Sequence, residues 1–131
     1  MSSQLEHAVK WLKLHYEEVP EKERKGMCLA NVRQSLLPQG LPLPWKAKPH
    51  NTALDCFAAL KDLPGKWGWK RISHPLPEYC LVFFGGCGKL ADGRIAGHIA
   101  ILHDGILYAD IPLKYTKTWQ KRLKGAFVPK V

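Results

Sequence analysis

Between Leu5 and Val19 the apolar residues Leu5, Ala8, Val9, Leu12, Tyr16 and Val19 recur at steps of three and four, one face of a helix that Pro20 ends. After the charged stretch from Glu21 to Lys25, Gly26 and Met27 lead into a second helix with Leu29, Val32 and Leu36 on one face, stopped by Pro38. Cys28 falls in or beside its first turn. The segment from Gln39 to Pro49 carries Pro42, Pro44 and Pro49 and reads as an irregular extended loop anchored by Trp45. Asn51 is the expected N-cap of a third helix that uses Leu54, Phe57, Ala58 and Leu60 and finishes before Pro64.

From Trp67 onward the pattern changes to short runs rich in β-branched and aromatic residues, separated by glycine and proline, which predict strands. They fall at Trp67 to Ile72, Cys80 to Phe84, His98 to Leu102, Ile106 to Ile111 and Ala126 to Val128. Only His103, Asp104 and Gly105 separate the third run from the fourth, so these two are expected to form a hairpin. Helices first and strands afterwards, without alternation, predict an α+β domain in which N-terminal helices pack on a small antiparallel sheet.

At 131 residues, 46% of them hydrophobic, the chain has the size and apolar content of one globular domain. No apolar run approaches the ~20 residues of a membrane helix, and the first twenty residues mix Lys10, Lys13, Glu17 and Glu18 with their apolar positions, unlike a signal peptide. Synthesis in the cytoplasm without a Sec signal, no membrane span and a monomer are therefore expected. The net charge of +9 favours polyanions, and after Asp110 there is no acid while six cations follow. Lys117, Lys121, Arg122 and Lys124 are the candidate contacts to an anionic polymer. Cys28, Cys56, Cys80 and Cys87 contain no Cys-x-x-Cys pair; a zinc set drawn from Cys80, Cys87, His74 and His103 would be irregularly spaced, so neither metal nor cofactor is expected.

A helix N-terminus favours a thiolate through its unpaired N–H groups and the positive end of its dipole, which makes Cys28 a candidate nucleophile. His98 opens an otherwise apolar strand and needs a polar partner. A hairpin centred on Asp104 sets Asp110 directly opposite His98, where cross-strand Cβ atoms are ~5 Å apart and a carboxylate can fix the imidazole tautomer.

These residues, in this order, carry a family resemblance. Gly26-Met27-Cys28 before a helix, then Pro77-Glu78-Tyr79-Cys80-Leu81-Val82-Phe83-Phe84, then Gly97-His98-Ile99-Ala100-Ile101 and an acid on the next strand, resemble the CHAP and NlpC type of papain-like cysteine peptidases and amidases. Glu78-Tyr79 stands where that family often has Gly-Asp. The resemblance implies a papain-like fold, with residues 1–25 as a helical extension and 26–131 as the catalytic core. It implies Cys28 as nucleophile, His98 as base and Asp110 as the residue orienting it. It also implies amide bonds of cell-wall peptidoglycan peptides as substrate, reached after release or delivery, as for phage and bacterial lysins.

Trp45, Trp67 and Trp69 are candidate substrate-binding residues, since aromatic walls suit sugar and peptide groups. Two other function classes fit the composition: a basic nucleic-acid-binding module in which Cys28 and His98 are merely buried, and a catalytically inactive papain-like adaptor.

Overall fold

A computed structural model describes residues 3–44 and 52–130. The helical half comprises α1 (Ser3–Glu18), the single turn α2 (Glu21–Arg24), α3 (Cys28–Leu36) and α4 (Ala53–Asp62). The second half supplies β1 (Trp69–Ile72), β2 (Tyr79–Phe84), β3 (His98–His103), β4 (Ile106–Tyr108), β5 (Leu113–Lys114), the short helix α5 (Lys117–Arg122) and β6 (Leu123–Pro129). All pairings are antiparallel, in the order β1-β6-β2-β3-β4-β5. The fold is α+β, and no helix among the described residues is long and apolar enough to cross a membrane.

The helices α1, α3 and α4 form where the apolar periodicity places them. Leu5, Ala8, Val9 and Leu12 bury the inner face of α1, and Leu29, Val32 and Leu36 that of α3. The start of α4 is held by Thr52, whose hydroxyl accepts from the Asp55 N–H while the Asp55 carboxylate accepts from the Thr52 N–H. The expected cap, Asn51, lies outside the described residues.

The sheet differs from the sequence expectation at several points. The run expected over Ile106 to Ile111 is a strand only as far as Tyr108, because the chain bends over residues 109–111, and the short edge strand β5 follows it. Trp67 belongs to a 3₁₀ turn, Pro64–Trp67, and β1 begins at Trp69. The strand expected at Ala126 to Val128 is longer, β6 running from Leu123 to Pro129, and it lies inside the sheet between β1 and β2, with Phe127 fully buried. Finally, β3 and β4 join through two residues, Asp104 and Gly105, both at positive φ (50° and 73°), so that His103 pairs with Ile106. This tight turn shifts the hairpin by one residue from the expected register.

Phe83, Ile99, Ile101, Leu81 and Phe127 are fully buried at the centre, each worth ~1.5–3 kcal/mol relative to exposure. Leu5, Ala8, Val9 and Leu12 of α1 belong to this same cluster. Phe57 of α4 packs against Phe83 and Phe127, while Phe84 and His98 lie beside Trp119 of α5. Phe84 and His98 are also partners in the β2–β3 ladder, which fixes the imidazole at the end of the sheet where α3 begins.

Candidate functional site

A cleft of about 640 Å³ opens where the start of α3 meets the start of β3, and Cys28, His98 and Asp110 all line it. Its remaining walls include Met27, Cys87, Lys89 and Trp119. A hollow of about 680 Å³ elsewhere, against Pro75, Tyr79 and Pro129, contains neither thiol nor imidazole. Of these two hollows, the first is the one that brings a thiol and an imidazole together.

Cys28 is the first residue of α3, and no side chain caps this helix. The first-turn N–H groups are therefore not taken up by a capping side chain. Burial pushes the Cys28 thiol up to about 11, while the backbone N–H groups of Ile99 and Leu29 pull the other way and the Asp110 charge adds to the rise. The resting group is the neutral thiol. Its attack on a carbonyl would need a base to take the proton.

His98 is 9% exposed, and burial lowers its pKa below the ordinary 6.5, opposed by the nearby Asp110 carboxylate. The imidazole is neutral near neutral pH, as a base must be. Its ring is 5.1 Å from that of Trp119, centroid to centroid. Gly97, immediately before it, has φ +75°, and a Cβ there would come within 2.7 Å of the Phe84 carbonyl oxygen. Only glycine lets β3 start so close to β2.

Asp110 reaches the cleft by a route other than cross-strand pairing. The ladder ends at Ile101 and Tyr108, and the chain bends away over residues 109–111. Three interactions hold it there. The Gly26 N–H donates to Asp110 Oδ2 at 2.7 Å, the Arg24 guanidinium donates to the Asp110 carbonyl, and the Tyr16 hydroxyl donates to the Ala109 carbonyl at 2.8 Å. Asp110 Oδ1 and His98 Nε2 are both buried without a hydrogen-bond partner among the described residues. Two such atoms in one site, coupled through space by charge, mark it as a place for polar chemistry.

Three supporting residues escaped sequence reasoning. Arg24 sits in a stretch that reads as solvated charge, yet it is 7% exposed, donates also to the Val19 carbonyl at 2.8 Å and stacks over Tyr16. Asn31 is buried on α3, and its amide donates to the Met27 carbonyl at 2.7 Å, steadying the residue before Cys28. Trp119 reads as packing but is a cleft wall. Nothing local in the sequence distinguishes these positions.

The tryptophans expected to bind substrate do not gather here. Trp69 is 1% exposed, its indole N–H donating to the Pro42 carbonyl at 3.1 Å, so it is a core residue. Trp67 lies under the Lys66 ammonium before the sheet's edge strand and does not line the cleft. Trp45 lies outside the described residues. Cys56 and Cys80 are buried, and burial pushes both thiols to about 12. Among the described residues, no group of three or more His, Cys, Asp or Glu could hold a metal ion.

The chain matches no known family profile, no curated protein and no solved structure. The site therefore stands on its own chemistry and geometry.

Proposed function

We propose that the chain is a papain-like cysteine amidase or peptidase, of the CHAP and NlpC type its motifs resemble, acting on amide bonds of cell-wall peptides. The observation that carries this reading is the meeting of Cys28, His98 and Asp110 in one cleft, with Cys28 at an uncapped helix start.

In this reading His98 takes the thiol proton as Cys28 Sγ attacks the carbonyl carbon, and first-turn N–H groups of α3 receive the oxyanion. Collapse of the tetrahedral species breaks the C–N bond, and the amine leaves with the proton from His98. Water, deprotonated by His98, then hydrolyses the thioester and frees Cys28. Asp110 holds the imidazole in orientation and offsets its charge while it carries the proton.

In this reading the protein acts at the wall after release or delivery, and Lys117, Lys121 and Lys124 attach it to anionic polymer. The three lysines are exposed, on α5 and early β6, and suit that contact.

Site-resolved alkylation with iodoacetamide near neutral pH tests the assignment of Cys28. The proposal expects rapid modification of Cys28 that depends on His98, with Cys56 and Cys80 inert. Four equally sluggish thiols would favour a binding module or an inactive adaptor.

A further inference from the structure

Arg122 differs from the lysines around it. Its guanidinium lies over the Trp119 ring, 5.4 Å from the centroid, and its side chain packs beside Gly86 in the loop leading to Cys87. Trp119 and Cys87 are both walls of the cleft, and the positive charge of Arg122 acts on the Cys87 thiol, drawing its pKa down against burial. Among the described residues no carboxylate pairs with Arg122. Lys89, exposed, lines the same cleft. Among the described residues the one acid lining it is Asp110, whose Oδ2 is already engaged by the Gly26 N–H. A guanidinium held against an aromatic ring has lost part of its freedom beforehand, and its planar fork matches a carboxylate.

We propose that Arg122, beside the Trp119 and Cys87 walls, and Lys89, on the lining itself, form a carboxylate-binding subsite at the rim of this cleft, so that its substrates are peptide amides bearing a free carboxylate close to the bond that Cys28 attacks. This rests on the reading of Cys28 as nucleophile. It also divides the basic segment by role: Lys117, Lys121 and Lys124 face outward for polymer attachment, whereas Arg122 serves the cleft.

Two matched pairs of thiol reagents stand in for the substrate and test the subsite: iodoacetylglycine against iodoacetylglycinamide, and the corresponding β-alanine pair. Each alkylates a thiol by forming an S–C bond as iodide leaves, the thiol proton passing to base, and the members of a pair differ only in a carboxylate. The rate at Cys28 is followed by peptide mass spectrometry and divided by the rate at free cysteine. For at least one pair, the carboxylate reagent is expected to be preferred by about fivefold, the upper range for a partly exposed ion pair. Arg122→Gln should abolish most of this preference, Arg122→Lys should restore part of it, and Lys89→Gln should reduce it in a second, independent place. A Lys117→Gln, Lys121→Gln double variant, which lowers net charge without touching the cleft, should keep it. No preference in the unaltered protein, or a preference lost equally in the double variant, overturns the subsite while leaving Cys28 as nucleophile. Failure of Cys28 to react with the neutral reagents overturns both.

Discussion

The main-chain N–H of Gly26 donates to Asp110 Oδ2 at 2.7 Å, joining the residue two before Cys28 to the bend that follows β4. One carboxylate thereby ties the turn before α3 to the cleft that His98 also lines, and its other oxygen is buried there without a hydrogen-bond partner among the described residues. Asp110→Asn keeps an oxygen for Gly26, whereas Asp110→Ala leaves that N–H without a partner. The alanine variant should lose about 1–3 kcal/mol in urea unfolding and the asparagine variant less. Amide cleavage should fall in Asp110→Asn, but by less than the orders of magnitude expected for Cys28→Ala or His98→Ala, since the proposed function gives Asp110 only the role of positioning the ring.

Burial sets the pH behaviour. His98 is held below 6.5, so the base stays neutral into mildly acid solution, and the acid limb of activity should fall below pH 6.5. In the same window the unfolded chain binds a proton that the folded chain refuses, so stability declines as pH falls through 6.5 and levels off below the folded value. On the alkaline side the unfolded Cys28 thiol ionises near 9 and the folded one near 11, so stability declines as pH rises between them. Urea midpoints against pH check both limbs. His98→Gln should flatten the acid limb and Cys28→Ala should reduce the alkaline one, where Cys56 and Cys80 contribute in the same direction.

Trp119 touches both Phe84 and His98, at centroid distances of 4.9 Å and 5.1 Å. It is only half-buried, so Trp119→Ala should cost about 1–2 kcal/mol, short of the ~3–5 kcal/mol of a fully buried aromatic. Its effect on the site should be separate from that loss. Opening the imidazole to water should move the acid limb of the activity profile upward toward the ordinary histidine value, and Trp119→Phe should move it back.

The elements with a clear period were legible in the sequence: α1, α3 and α4 from their three- and four-residue apolar steps, and the β3–β4 hairpin from its turn. Cys28 and His98 were legible because a helix start and a lone polar residue on an apolar strand are local signals. Asp110 was reached through a register that the two-residue turn does not adopt. The bend over residues 109–111 brings it to the cleft instead, and the hydrogen bonds that secure it come from Tyr16, Arg24 and Gly26, far away in the chain. Long-range packing of this kind has no sequence period. Trp69 shows the converse: an aromatic suited to ligand binding is drawn inward because β1 turns that face to the core. The two-residue strand β5 and the single turn α2 are too short to show a period at all.

The exposed lysines of α5 and early β6 give a prediction separable from catalysis. Replacing Lys117, Lys121 and Lys124 by Gln should reduce co-sedimentation with intact wall material, and added salt should do the same to the unaltered protein, since exposed charges are screened over ~8 Å at physiological ionic strength. Cleavage of a small soluble peptide should be nearly unchanged. An equal fall in both assays would assign these lysines to the fold or the cleft.

Cleavage of wall peptides by Cys28 is read out by mass spectrometry of the fragments released from purified peptidoglycan. The unaltered protein should release fragments with a new carboxylate and a new amine at one amide bond, and Cys28→Ala, with an unfolding free energy within about 1 kcal/mol of the unaltered protein's, should release none. Equal release by both proteins, or release by neither, would contradict it.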